Sequence, residues 1–163
     1  MESKNYTTLI FGVGNIVMGD DGIGPEVINE LQRRDCLPAG VQAVDVDTGV
    51  REHLFDYLLT EEGRPDRIII IDAVDMPGHN PGDIFELTPE EIPDNKVHNF
   101  TLHQFANVNL LSELQQNTDM SITFLAVQVE SFPNEIAPGL SPALSAAVPV
   151  ACDKILEIVS EKS

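Results

Sequence analysis

"RIIIIDAVD", residues 67–75, decides the fold. Four consecutive isoleucines cannot be shared between a wet and a dry face, so a strand built from them is buried on both sides, as at the centre of a parallel sheet. "TTLIFGVG" (7–14) reads as a second buried strand, "VQAVDVDTG" (41–49) as a partly alternating one and "SITFLAVQVES" (121–131) as another buried one, while "DIFELT" (83–88) is short and suits an edge. Between them the apolar residues recur at helical spacing: Val27, Ile28 and Leu31 after Pro25, then Leu54, Phe55, Leu58 and Leu59 on one face of "REHLFDYLL". "HQFANVNLLSELQQ" (103–116) predicts a helix with Phe105, Val108, Leu111 and Leu114 inward. Ser141 and Pro142 start a last helix, which Pro149 should kink or divide from a preceding turn. Strands alternating with helices predict an α/β fold, a three-layer α/β/α sandwich around a mainly parallel sheet, as a single domain over 1–163. Right-handed crossovers favour placing the first strand between the second and the third.

Composition narrows the function. The chain has 163 residues, 42% of them hydrophobic, and a formal net charge of −18. That length buries a core without disulfides or a structural metal. Binding nucleic acid requires a basic patch, and anionic membranes disfavour an acidic protein for the same reason, so neither is an expected partner. No apolar run reaches the ~20 residues of a membrane span, and "MESKNYTT" lacks the apolar stretch of a signal peptide, which together point to the cytoplasm. Cys36 and Cys152 have no C-x-x-C partner and read as reduced structural thiols.

In an open parallel sheet, ligands collect beyond the carboxyl ends of the strands, where strand order reverses. Three polar residues map to that edge: Asp21 in the loop after the first strand, Asp72 at the end of the isoleucine run, and His103 opening a later helix. Two carboxylates and an imidazole suit a divalent transition metal with open coordination positions. Read singly, Asp21 is also a helix cap, Asp72 a strand-end turn residue and His103 a helix-start or core histidine. Asp20 fits either a helix cap or a group holding the loop. His53 and His79 read as structural or solvated, and His98 lies near enough in sequence to His103 to enter the site.

"GVGNIVMGDDGIGPEV" (12–27) begins like the dinucleotide fingerprint G-x-G-x-x-G, with Gly12 and Gly14 in place but Val17 at the third glycine. Without that glycine, close approach of helix and strand is not expected. Asp20 and Asp21 would also repel a pyrophosphate. The turn is better suited to aiming carboxylates at a cation.

With "IIIIDAVD" and "TLHQF" following in order, this block resembles the hydrogenase maturation endopeptidases, over roughly residues 8–105, and "LSPALSAAVP" is similar as well. The resemblance implies a five-stranded twisted sheet. It implies a protease that removes the C-terminal extension of a nickel-iron hydrogenase large-subunit precursor once nickel is inserted. It assigns metal contact and catalysis to Asp21, Asp72 and His103, with nickel arriving on the substrate and another divalent metal such as zinc as an alternative occupant. "VHNFTLHQF" and the acidic character are similar to the branch serving coenzyme F420-reducing hydrogenases. No Ser or Cys nucleophile stands beside a base in these motifs, so the expected chemistry is attack by activated water.

Other classes compete. A signalling receiver domain also sets an acidic pair after its first strand and an Asp after its third. Here the pair lies past a glycine turn, "VQVES" ends without a lysine for a phosphoryl group, and His103 would have no role. A general metal-dependent amidase or aminopeptidase would hold a tight metal of its own. A plain nickel-binding protein would cleave nothing.

Overall fold

The computed structural model describes residues 7–47, 49–93, 96, 101–102 and 105–161. Its elements are β1 (Thr8–Val13), α1 (Ile23–Arg34), β2 (Val41–Asp47), α2 (Val50–Leu59), β3 (Arg67–Val74), β4 (Ile84–Leu87), β5 (Thr101–Leu102), β6 (Phe105–Asn109), α3 (Leu110–Asn117), β7 (Ser121–Gln128) and α4 (Pro142–Ser160). Five strands form one sheet in the order β2-β1-β3-β7-β4. The first four are mutually parallel, while β4 runs antiparallel to β7 along the far edge. The first strand does lie between the second and third, and "DIFELT" does contain an edge strand. The antiparallel sense of that edge makes the sheet mixed, as β4 pairs Leu87 with Phe124 and Ile84 with Val127.

The isoleucine run divides between two cores. Ile69 and Ile71 join Ile10, Leu125 and Val127 under α1 and α4, where Ile23, Val27, Ile28, Leu31, Leu144, Ala147, Ala151 and Ile155 close over them. Ile68 and Ile70 join Leu9, Phe11 and Phe124 under α2 and α3, against Leu54, Leu110, Leu111 and Leu114. Complete burial of each isoleucine contributes about 2 kcal/mol, which is why the run tolerates no polar residue until Asp72. The predicted face of α2 is narrower than expected: Leu54 is buried, but Leu59 is 68% exposed.

One further expectation changes and a second narrows. The helix predicted from His103 begins only at Leu110; residues 105–109 form β6 instead, paired antiparallel with β5. Asn109 sets the boundary, because its side-chain oxygen accepts from the N–H groups of Leu111 and Ser112. Pro149 does not divide the last helix, which runs without a break over residues 142–160. Among the described residues, no helix is long and apolar enough to cross a membrane.

Helix and strand approach closely despite Val17. A Cβ on Gly24, in the first turn of α1, would lie 2.3 Å from the Val13 carbonyl oxygen and 2.8 Å from that of Ile71. The missing third glycine is supplied seven residues late, by the "GIGPE" segment, so the α1 backbone rests directly on β1 and β3.

Candidate active site

The carboxyl ends of β1 and β3 carry the two sequence-predicted aspartates. Alternation along β3 turns Asp72 toward the same face as Ile68 and Ile70, and Asp72 is completely buried. The turn after β1 brings up Asp21 in a short 3-10 segment, Gly19–Gly22. Gly14, at φ +140°, permits this: a Cβ there would sit 1.9 Å from the Asp21 carbonyl oxygen. The Asn15 N–H donates to Asp21 Oδ2 at 3.0 Å and holds the carboxylate in place. Asp21 caps no helix, since α1 starts after Gly22 without a side-chain cap.

Between the two carboxylates lies a cation that sequence reasoning missed. Lys96 Nζ is 2.5 Å from Asp21 Oδ1 and 3.3 Å from Asp72 Oδ1, and it stands over the Phe132 ring, 4.9 Å from the centroid. Lys96 is only 7% exposed. Asp72 Oδ1 also accepts from the N–H of Ala73 at 2.8 Å. Its other oxygen, Oδ2, is buried with no hydrogen-bond partner among the described residues. A buried carboxylate oxygen without a donor carries a desolvation penalty that a cation would relieve, so the donor set fits a metal ion.

The charges are strongly coupled. Burial is the main influence on Asp72 and pushes its carboxyl up to about 7, the Asp21 charge adding to the rise and Lys96 opposing it. Burial works against the Lys96 ammonium as well, but Asp72 and Asp21 outweigh it, and Lys96 is held above the usual lysine range. The only hint of Lys96 in the sequence is its rarity, as one of nine Lys and Arg against 27 Asp and Glu. The contact spans 75 residues to Asp21 and 24 to Asp72, beyond any local pattern.

Asp20 faces away from this pair. It is 4% exposed and accepts from the Ser141 N–H at 2.7 Å, the Ser141 hydroxyl at 2.9 Å and the Glu130 N–H at 3.2 Å. It therefore holds the loop between β7 and α4 against the turn that carries Asp21. The Ala137 N–H donates to the Val17 carbonyl in the same seam, leaving Ile16, Val17 and Ile136 as exposed apolar side chains nearby. Gln128 braces the ends of β3 and β7, accepting from the Met76 N–H and donating to Asp75.

His103 and His98 lie outside the described residues, and among the described residues no three His, Cys, Asp or Glu side chains converge as a metal cluster. His79 stacks on Phe85 at 3.7 Å between centroids, and His53 is exposed on α2 beside Phe11, at 5.5 Å. Lys96 does face Asp21 and Asp72, although not from the end of β7 where a receiver domain would be expected to carry its lysine. The antiparallel edge strand also departs from the parallel receiver-type sheet.

The chain is similar over nearly its whole length to hydrogenase maturation proteases and to a hydrogenase subunit. A hydrogenase 2 maturation protease of Escherichia coli is 30% identical over 155 residues, spanning 94% of this chain and 90% of its own. The coenzyme F420 hydrogenase subunit delta of Methanothermobacter thermautotrophicus is 32% identical over 152 residues, spanning 91% and 92%. These similarities are of one degree, so identity alone does not select the F420 branch. The solved structure of the hydrogenase maturating endopeptidase HybD from E. coli superposes with a TM-score of 0.69 at 28% identity, over 94% of this chain and 91% of that one. The hydrogenase maturation protease family model matches residues 25–158, and with these relatives it establishes that the chain belongs to the hydrogenase maturation proteases.

Proposed function

We propose that this protease removes the C-terminal extension of a nickel-iron hydrogenase large-subunit precursor in the cytoplasm, after nickel insertion, and that it recognises the nickel through Asp21, Asp72 and His103. The observation that carries this reading is the pair Asp21 and Asp72, set around the Lys96 ammonium, with a buried Asp72 oxygen that has no hydrogen-bond partner among the described residues. In this reading the nickel belongs to the substrate. It docks the precursor against the carboxylates and polarises the scissile carbonyl or a water.

The chain's own residues supply the rest. Asn15 orients Asp21, and Ala73 orients Asp72. In this reading one of the two aspartates accepts a proton from the attacking water. The water oxygen bonds to the carbonyl carbon, the C–N bond breaks, and the proton passes to the leaving amine. Ile16, Val17 and Ile136 offer apolar contact to the peptide flanking the cleavage point.

The test is intact mass of the cognate precursor, with and without nickel, after addition of this protein. Loss of a C-terminal peptide from the nickel-loaded form alone is expected. Cleavage of both forms would remove nickel recognition, and cleavage of neither would remove the proposed substrate.

A further inference from the structure

The carboxylate pair already has a counter-cation, and it is covalently part of the chain. Lys96 Nζ reaches one oxygen of each aspartate, with the Phe132 ring beside it and almost no exposure to solvent. A transition metal binds carboxylate oxygens at about 2.0–2.2 Å. An ion bridging the same two oxygens would collide with the ammonium and repel its charge. Lysine and metal therefore exclude one another at these two oxygens, and an ion drawn to Asp72 Oδ2, the other atom of the same carboxylate, would face the charge of the ammonium at close range.

We propose that Lys96 is a specificity-determining residue that competes with metal ions for Asp21 and Asp72. Resting on the substrate reading above, this assigns Lys96 the task of keeping free divalent ions out. A hydrated ion arriving alone must displace the ammonium and forfeit its own water for two carboxylates. A nickel ion already held by a docked precursor is placed at the pair by the rest of the interface, and the docking contacts offset the displacement. The site is thereby matched to metal in a protein rather than metal in solution. Lys96 meets this requirement because it touches both carboxylates at once; a lysine paired with one of them would leave the other open.

The test measures metal binding directly and needs no precursor. Isothermal titration of nickel into the full-length protein, in mildly alkaline buffer, compares the wild type with Lys96→Met, Lys96→Gln and Lys96→Arg. Loss of the charge in the Met and Gln variants should tighten nickel binding by roughly tenfold or more, since carboxylates left without a counter-ion gain most from a metal. Lys96→Arg should stay close to wild type. Adding Asp72→Asn to Lys96→Met should abolish the gain, which separates this pair from the acidic surface. In the wild type, acylation mapped by peptide mass should find Lys96 protected without nickel and reactive at saturating nickel. Equal nickel affinity of wild type and both neutral variants, with native circular dichroism, would overturn the proposal. So would a Lys96 that stays protected while nickel fills the pair. Failure of precursor cleavage would leave these binding results intact, so the two readings fail separately.

Discussion

Asp20 and Ser141 meet across 121 residues of chain, the carboxylate accepting from both the backbone N–H and the hydroxyl of the serine. Adjacent aspartates thus do opposite work: Asp21 faces the cation, and Asp20 fastens the loop that follows β7. Asp20→Ala should destabilise the protein by about 2 kcal/mol, the scale of a buried hydrogen bond to a charged acceptor. Urea unfolding measures this, and a midpoint equal to wild type would show that the seam carries no stability.

Gly24 reverses an ordinary rule. Alanine for glycine within a helix normally stabilises by about 1 kcal/mol. Here the added methyl would meet the carbonyls of Val13 and Ile71, backbone atoms that have nowhere to go. Gly24→Ala should instead lose about 3 kcal/mol and lower processing, because α1 moves off β1 and takes the turn bearing Asp21 with it. Thermal unfolding with a precursor-cleavage assay decides the sign.

Substitution of the proposed site residues should separate activity from folding. Asp21→Asn, Asp72→Asn and His103→Ala are each expected to slow precursor processing by roughly 100-fold or more, the scale of a lost acid–base or docking group, with circular dichroism unchanged. Full activity in any one of them would strike that residue from the site.

The two cysteines should respond oppositely to thiol reagents. Cys36 is exposed, whereas Cys152 is buried in α4, its thiol facing the Val27 carbonyl at 3.6 Å. Burial pushes the Cys152 thiol up to about 11. One equivalent of reagent should label the native protein at Cys36, and a second should react only on unfolding.

That same shift makes a statement about alkaline stability. The folded protein holds the Cys152 proton more tightly than the unfolded chain, whose thiol ionises near its ordinary value. The contribution is fully present below that value and is lost as pH rises toward about 11. Cys152→Ala should flatten the fall in melting temperature across this alkaline window. An unchanged slope would show that other groups cause the fall.

An exposed apolar seam should matter to substrate rather than to folding. Ile136 is 75% exposed and Ile16 52%. Ile136→Glu and Ile16→Glu should change stability by less than about 0.5 kcal/mol, as surface substitutions do, yet raise the KM for precursor. Unchanged KM in both would place the docking surface elsewhere.

Much of the architecture was legible because the signals are local. Four isoleucines in a row require a strand covered on both faces, and covered parallel strands require intervening helices, so β3, its neighbours and the position of Asp72 at the carboxyl edge follow from residues within a few places of one another. The glycine turn and the acidic pair were readable for the same reason. The sequence of β6 reads as helix because Phe105 and Val108 are spaced as a helix would space them, and only the Asn109 cap reveals where winding begins.

The sequence by itself determined a parallel α/β core and the two carboxylates beyond it, since periodicity and turn chemistry are short-range properties of the chain. Tertiary structure alone decided that β4 closes the sheet antiparallel, that Gly24 rather than residue 17 lets helix meet strand, and that Asp20 turns away to hold Ser141. It also decided that Lys96 comes to rest between Asp21 and Asp72. Each of these joins residues far apart in the chain, where burial and charge balance, not spacing, select the partner.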